Sequence, residues 1–311
     1  MALVPVSDVA VSLDLRERIS SLLADFLSRR SDRTRAAYDA DLRNFASFLK
    51  GSSPLEAVSL LLSHGPGEGN GLALRYRNEM ISAGLSAATA NRRLSSLRSV
   101  VKLARTIGLV SWGLEIEGEK AEAYRDTRGP GRGELLRILA GLQEDLSPKG
   151  RRDLAIFRLL LDLGLRRGEI ASLDLEDVDL AGERILVLGK GRTAKEPMTL
   201  PQETARALEA WISARGPDPG PLFLNYDRAR KGDGRLTGAA LYYLAKEWGA
   251  RRPHGIRHAA ITEVLNLTGG DVRKAARFSR HRDIRTLARY DDNRSDLGGE
   301  AARLLASSFP G

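Results

Sequence analysis

The sequence predicts a mainly helical chain in two domains, with one small β-sheet in the C-terminal half, an α+β class overall. Apolar residues recur at helical spacing along most of the 311 residues. Aromatic residues are only 5% of a chain that is 42% hydrophobic, which favours Leu/Ala-filled helical cores over a β-sandwich. One segment alone, ERILVLGKGRTAKEPMTLP from Glu183 to Pro201, reads as two short strands around a Gly/Lys-rich turn. A chain this long suits two domains of ordinary size.

The N-terminal domain is expected over residues 1–112, helical from Leu13 to about Val110. Ser31 and Asp32 precede a helix in which Tyr38, Leu42, Phe45 and Leu49 share a face, and Gly51 stops it. Arg33, Arg35 and Arg43 decorate this helix. GPGEGNG, Gly65 to Gly71, reads as a loop because four of its seven residues are glycine. From Ser86 to Gly108 a second helix places Leu94, Leu97, Val100, Val101 and Ala104 on one face. Arg92, Arg93 and Arg98 fall mostly elsewhere on it.

Residues 113–133 lose periodicity and end in a Gly/Pro cluster, as an inter-domain linker does. The second domain is expected over 134–311. Its helices are read at Glu134–Leu142, Arg151–Leu165, Gln202–Gly216, Thr237–Ala250 and His254–Leu267. Asp291 to Asp296 reads as a polar tether, with Gly298 and Gly299 ending it. Glu300 to Ser307 then has helix formers with Leu304 and Leu305 side by side, a helix too short to stand alone in water.

Lys plus Arg number 49 against 40 Asp plus Glu, a net charge of +9 that points to a polyanionic partner. Between Lys246 and Tyr290 eleven Lys/Arg face four acids, so +7 of the excess lies in one short stretch. With no cysteine, a disulfide framework, a Cys nucleophile and thiolate zinc sites are excluded. The first residues carry acids within their apolar run and do not read as a signal peptide; no 18-residue apolar run suggests a membrane span. A soluble, cytoplasmic, nucleoid-associated protein is the expectation.

Three of the four histidines, His254, His258 and His281, fall within the basic stretch that ends at Tyr290. In HGIR, His254 and Arg257 stand three apart and share a helix face. A guanidinium presents forked donors to phosphate oxygens, and an imidazole can give or take a proton there. In GLRRGE, Arg166 sits where an apolar helix ends, and Glu169 three residues on could hold its guanidinium. Lys190 lies between glycines at the hairpin tip, where the chain can approach DNA closely and a lysine can protonate a leaving oxygen. Each motif alone is common: a surface salt bridge or a solvated turn lysine explains it equally well.

Taken in order, however, GLRRGE, GKG, HGIR and HRDIRTLARY resemble the motifs of the Xer and phage-integrase family of tyrosine recombinases. The resemblance spans the whole C-terminal half. It extends in a general way to the N-terminal helices, which resemble that family's core-binding (SAM-like) DNA-binding domain. It implies two domains that clamp DNA, with Arg33, Arg35, Arg43, Arg92, Arg93 and Arg98 available to the N-terminal contact. It implies a site-specific recombinase in which Tyr290 attacks the scissile phosphate and forms a 3′-phosphotyrosyl link. Arg166 and Arg257 would clamp the non-bridging oxygens, Lys190 would protonate the 5′-oxygen, and His254 would assist proton transfer. His281 would hydrogen-bond the phosphate, and Glu169 would support the arginines and histidines. No metal, cofactor or ATP is implied. The implied partners are a double-stranded recombination site, further copies in a tetramer, and accessory DNA-binding proteins.

Two departures from the family pattern stand out. Arg280 replaces the usual glycine before His281. The hairpin after GKG runs one residue long, so Lys195 competes with Lys190 for the general-acid role. Two other readings stay open at this level: a type IB topoisomerase, which shares the tyrosine nucleophile, and a non-catalytic DNA-binding regulator.

Overall fold

The computed structural model describes residues 13–28, 32–120, 129–189, 191–226, 234–281, 283, 284, 287 and 297–309. Lys190 and Tyr290 lie outside the described residues, as do Arg282, Arg285 and Arg289. The chain divides into two compact units, residues 1–123 and 124–311.

In the first unit five helices enclose one apolar core: α1 (Leu13–Ser28), α2 (Asp32–Phe48), α3 (Pro54–Ser63), α4 (Pro66–Ser82) and α5 (Ala87–Thr106). The face read on α5 is buried from Leu94 to Ala104 and meets Leu42 and Phe45 of α2. Ser53 and Ser86 cap α3 and α5 through their hydroxyls, each taking a backbone N–H three residues on. The glycine-rich segment is not a loop. Pro66 occupies the first turn of α4, and Gly67, Gly69 and Gly71 are helical. A Cβ on Gly69 would come within 2.5 Å of the Trp112 ring, so the glycine lets the indole lie against the helix. Leu114 and Ile116, within the stretch expected as linker, pack on this core too.

The second unit is built around α7 (Pro148–Asp162), which packs against α6 (Arg132–Glu144), α9 (Gln202–Arg215) and α11 (Pro253–Leu267). Ala155, Ile156, Phe157, Leu159 and Leu160 of α7 are all buried, each large one contributing about 1.5–3 kcal/mol of transfer free energy. A three-stranded antiparallel sheet in the order β1-β2-β3 lies beside it. Strand β2 (Arg184–Leu188) alternates, with Ile185 and Val187 inward and Leu186 and Leu188 outward, and pairs Ile185 with Met198 of β3 (Lys195–Thr199). The two-residue β1 (Val178–Asp179) adds a strand that periodicity does not signal. Among the described residues the unit also holds α8 (Arg167–Ala171), α10 (Gly238–Glu247) and α12 (Val272–Ser279). The last, α13 (Leu297–Ser308), starts earlier than expected and takes Gly298 and Gly299 into its first turn, where backbone N–H groups need no helical partner. Its Leu304 and Leu305 are each 64% exposed.

Candidate active site

The turn after α7 begins the site. Gly164 adopts φ 55°, ending the helix, and the Leu165 N–H closes the turn onto the Leu159 carbonyl. Arg166 then stands as N-cap of α8. The Glu169 carboxylate accepts the Arg166 backbone N–H at 2.8 Å and its Nη1 at 2.8 Å. That carboxylate is 3% exposed, whereas the Arg166 side chain is 31% exposed and keeps an open face. The expected Arg166–Glu169 pairing is therefore a bond to one carboxylate from both main chain and side chain of the same arginine.

Arg257 lies on the first turns of α11 and is 1% exposed. Its Nη1 donates to the Gly164 carbonyl, and its Nη2 donates to the Ser279 carbonyl at 2.5 Å. A buried guanidinium thus ties the α7–α8 turn to the end of α12, leaving it charged and fixed. His254, one turn earlier on α11, keeps an exposed face. Desolvation by the surrounding protein, then the charges of Arg257, His258, Arg252 and Arg166, lower its pKa.

At the end of α12, Ser279 is fully buried and its hydroxyl sits 2.7 Å from His281 Nδ1. Burial, reinforced by Arg257, Arg166 and His254, pushes the His281 pKa down to about 4. Both imidazoles are accordingly neutral at physiological pH, able to donate from one nitrogen and accept at the other. Between Ser279 and His281, Arg280 takes a left-handed conformation, φ 54° and ψ 37°. For a residue with a Cβ this costs about 1–2 kcal/mol, a cost that glycine would not incur. Its Nη2 reaches the other side of the Glu169 carboxylate at 2.5 Å, and Nη1 lies against Met198 of β3.

Of the two candidate lysines, Lys195 lies among the described residues and Lys190 does not. Lys195 opens β3 and gives both close bonds of its ammonium to buried Asp177, at 2.6 and 2.8 Å, with Asp174 at 3.7 Å. The Asp177 hydrogen bond raises the Lys195 pKa, making it a poorer proton donor.

Of the N-terminal arginines, Arg92 bonds buried Asp41 through Nη1 at 2.5 Å, and Ser96 completes that node. Arg93 is half-buried beside Tyr76, and Arg98 donates to the Ile116 carbonyl. Arg35 pairs with Asp32 and Arg43 with Asp39, the latter at 2.8 Å, both on the exposed side of α2. The Arg33 side chain lies outside the described residues. Two residues have no signal in motif spacing: Ser279, which joins Arg257 to His281, and Asp177, which occupies Lys195; Gly164 opens the GLRRGE motif, but nothing in the sequence marks its carbonyl as the acceptor of Arg257.

Arg166, Arg257, His254 and His281, from three separate segments, thus share one electrostatic neighbourhood. Two permanent cations beside two neutral imidazoles can hold an anionic group and move a proton on it.

Comparisons with known proteins bear on the family and the fold. A family profile described as the phage integrase family matches residues 132–296. A tyrosine recombinase of Synechocystis sp. is 38% identical over 299 residues, covering 93% of this chain and 94% of that one. The XerC tyrosine recombinase of Mycobacterium leprae is 31% identical over 277 residues, 84% of this chain and 88% of the relative. Among solved structures, a lambda integrase dimer bound to a core site gives a TM-score of 0.65 at 15% identity, covering 92% of this chain and 97% of that one. The Tn1549 transposon integrase bound to circular intermediate DNA gives 0.64 at 19%, covering 92% and 98%. At those identities the two structures establish a common fold.

Proposed function

The chain belongs to the phage integrase family and is a tyrosine recombinase, a site-specific DNA recombinase, and from that premise we propose how its own residues carry the reaction. Tyr290 attacks the scissile phosphorus through its hydroxyl oxygen. The P–O5′ bond breaks, the DNA 3′-phosphate becomes joined to Tyr290, and the tyrosine proton is lost. Lys190 supplies the proton taken up by the leaving 5′-oxygen. Arg166 and Arg257 hold the non-bridging oxygens as negative charge builds on the phosphorane, and His281 hydrogen-bonds the same group. His254 assists proton transfer, and Glu169 fixes Arg166.

A free tyrosine has a pKa near 10, so adjacent cations favour its ionised, attacking form. Guanidiniums remain charged at any working pH and serve the transition state without reorganising. The phosphotyrosyl link keeps the energy of the broken bond, so a 5′-hydroxyl can reverse the step and reseal DNA without a nucleotide or a metal. What supports this reading most is that Arg166 and Arg257 both act electrostatically on His254 and His281, while the Glu169 carboxylate holds Arg166.

The N-terminal domain, residues 1–112, and the catalytic domain, residues 134–311, joined through 113–133, would both hold the DNA as a clamp. Recombination needs four strand cuts on two duplexes, which a tetramer supplies. The exposed Leu304 and Leu305 of α13 support docking of the tail on a neighbouring protomer in a head-to-tail ring. Removal of residues 299–311 would then keep single-site binding and lose synapsis.

A suicide substrate, nicked next to the cleavage position so that the 5′ fragment diffuses away, tests the chemistry. Wild-type protein should accumulate a covalent protein–DNA adduct, and Tyr290→Phe should bind equally and form none. An adduct with Tyr290→Phe would overturn the assignment. Shifted bands with no adduct from either protein would leave only a DNA-binding regulator.

A further inference from the structure

Glu169 carries two guanidiniums, only one of which belongs to the site described so far. Its Oε1 receives Arg166 Nη1, while Oε2 receives both the Arg166 backbone N–H and Arg280 Nη2. The Arg280 side chain is 16% exposed, and its remaining terminal nitrogen lies against Met198 on β3. Its neighbours in the chain are Ser279, whose carbonyl receives Arg257, and His281. Arg280 therefore touches, through side chain or adjacent backbone, every segment that brings a described group to the site.

We propose that Arg280 is a positioning residue for strand cleavage, holding Arg166 and His281 in one arrangement through the shared Glu169 carboxylate. The proposal rests on the functional reading above. Three features separate this role from simple packing. The backbone at Arg280 is left-handed, a conformation glycine adopts without a steric cost, so the guanidinium is present despite the local geometry rather than because of it. The contact is charge-assisted and shielded from solvent, so it is directional. It also spans two elements with no sequence proximity, α8 and the end of α12, and the chain leads on from His281 to Tyr290. Loss of the guanidinium would leave Glu169 to Arg166 alone and leave the end of α12 hydrogen-bonded to the α7–α8 turn through Arg257.

Arg280→Gly separates the possibilities because it removes the side chain while relieving the backbone. In the full-length protein, thermal unfolding should stay near the wild-type temperature and site affinity should change less than about threefold. The single-turnover cleavage rate on saturating suicide substrate should fall roughly 30-fold or more, an effect on the chemical step rather than on binding. Arg280→Lys should recover part of that rate, since it restores one charged donor without the fork. In a Glu169→Gln background, Arg280→Gly should add less than about threefold, because both changes break one connection. Wild-type cleavage by Arg280→Gly, or full multiplication of the two effects, would overturn the proposal. Wild-type protein run alongside, with Tyr290→Phe as the blank, distinguishes the two failures. If wild-type protein gives no adduct, the functional reading itself falls; if it does and Arg280→Gly matches it, only the role of Arg280 falls.

Discussion

Gly164 presents its carbonyl oxygen to the buried guanidinium of Arg257 from a left-handed backbone that ends α7. The same glycine leaves room for the Phe278 ring, 2.9 Å from where a Cβ would stand. A single turn thereby aims a hydrogen-bond acceptor at one site residue while placing the next, Arg166, at the start of α8.

Gly164→Ala should be costly for that reason. Left-handed strain of about 1–2 kcal/mol adds to the clash with Phe278. A melting temperature lower by roughly 3–8 °C is expected for a unit of this size, with strand cleavage reduced as Arg257 shifts. Differential scanning calorimetry and the adduct assay check both. An unchanged melting temperature would show that the turn tolerates a side chain.

The two hairpin lysines should behave differently. Lys190→Ala should slow cleavage strongly, and a 5′-thiolate leaving group, which needs no general acid, should restore the rate. Lys195→Ala strips the partner from buried Asp177, so it should cost about 1–3 kcal/mol of stability and show no such rescue. Rescue of Lys195→Ala by the thiolate would move the proton-donor role to Lys195.

His281 makes stability depend on acid in a defined direction. Its folded pKa, about 4, lies below the unfolded value near 6.5. The unfolded chain therefore takes up a proton that the folded ring refuses, and stability falls as pH drops from about 6.5 towards about 4. His281→Gln removes this contribution. Urea unfolding at about pH 7 and about pH 5 should show a smaller loss on acidification for the variant. Equal losses would mean that the ring is not held neutral in the folded protein.

Arg92 should report on folding as well as on DNA. Its pairing with Asp41 closes a buried polar node, so Arg92→Ala should destabilise the first unit by about 1–3 kcal/mol. Arg35 and Arg43, exposed on α2, have lesser structural duties. If they meet phosphates, Arg35→Ala and Arg43→Ala should each lower the slope of log affinity against log salt by about one and leave unfolding nearly unchanged. Slopes equal to wild type would remove α2 from the DNA contact.

Much of the fold was legible because its cues are local. The apolar face of α5 repeats within each turn of a stretch that starts at Ser86, and β2 alternates Ile185 and Val187 with outward leucines. The motif order likewise singled out Arg166, Arg257, His254 and His281, and the chain brings those four into one electrostatic neighbourhood. The glycine-rich start of α4 was not legible: glycine signals a loop unless a partner makes it useful, and that partner, Trp112, is distant in sequence.

By itself, then, the sequence determined which residue types could bind phosphate, in what order, and on which helices. Only tertiary structure decided which charges are engaged. Lys195 is bound to Asp177, Arg92 to Asp41, and Glu169 is divided between Arg166 and Arg280. Periodicity and capping act within a turn or two of chain, whereas a charge finds its partner through packing of segments far apart. In a buried setting the partner decides whether a cation remains available to a ligand or is already satisfied.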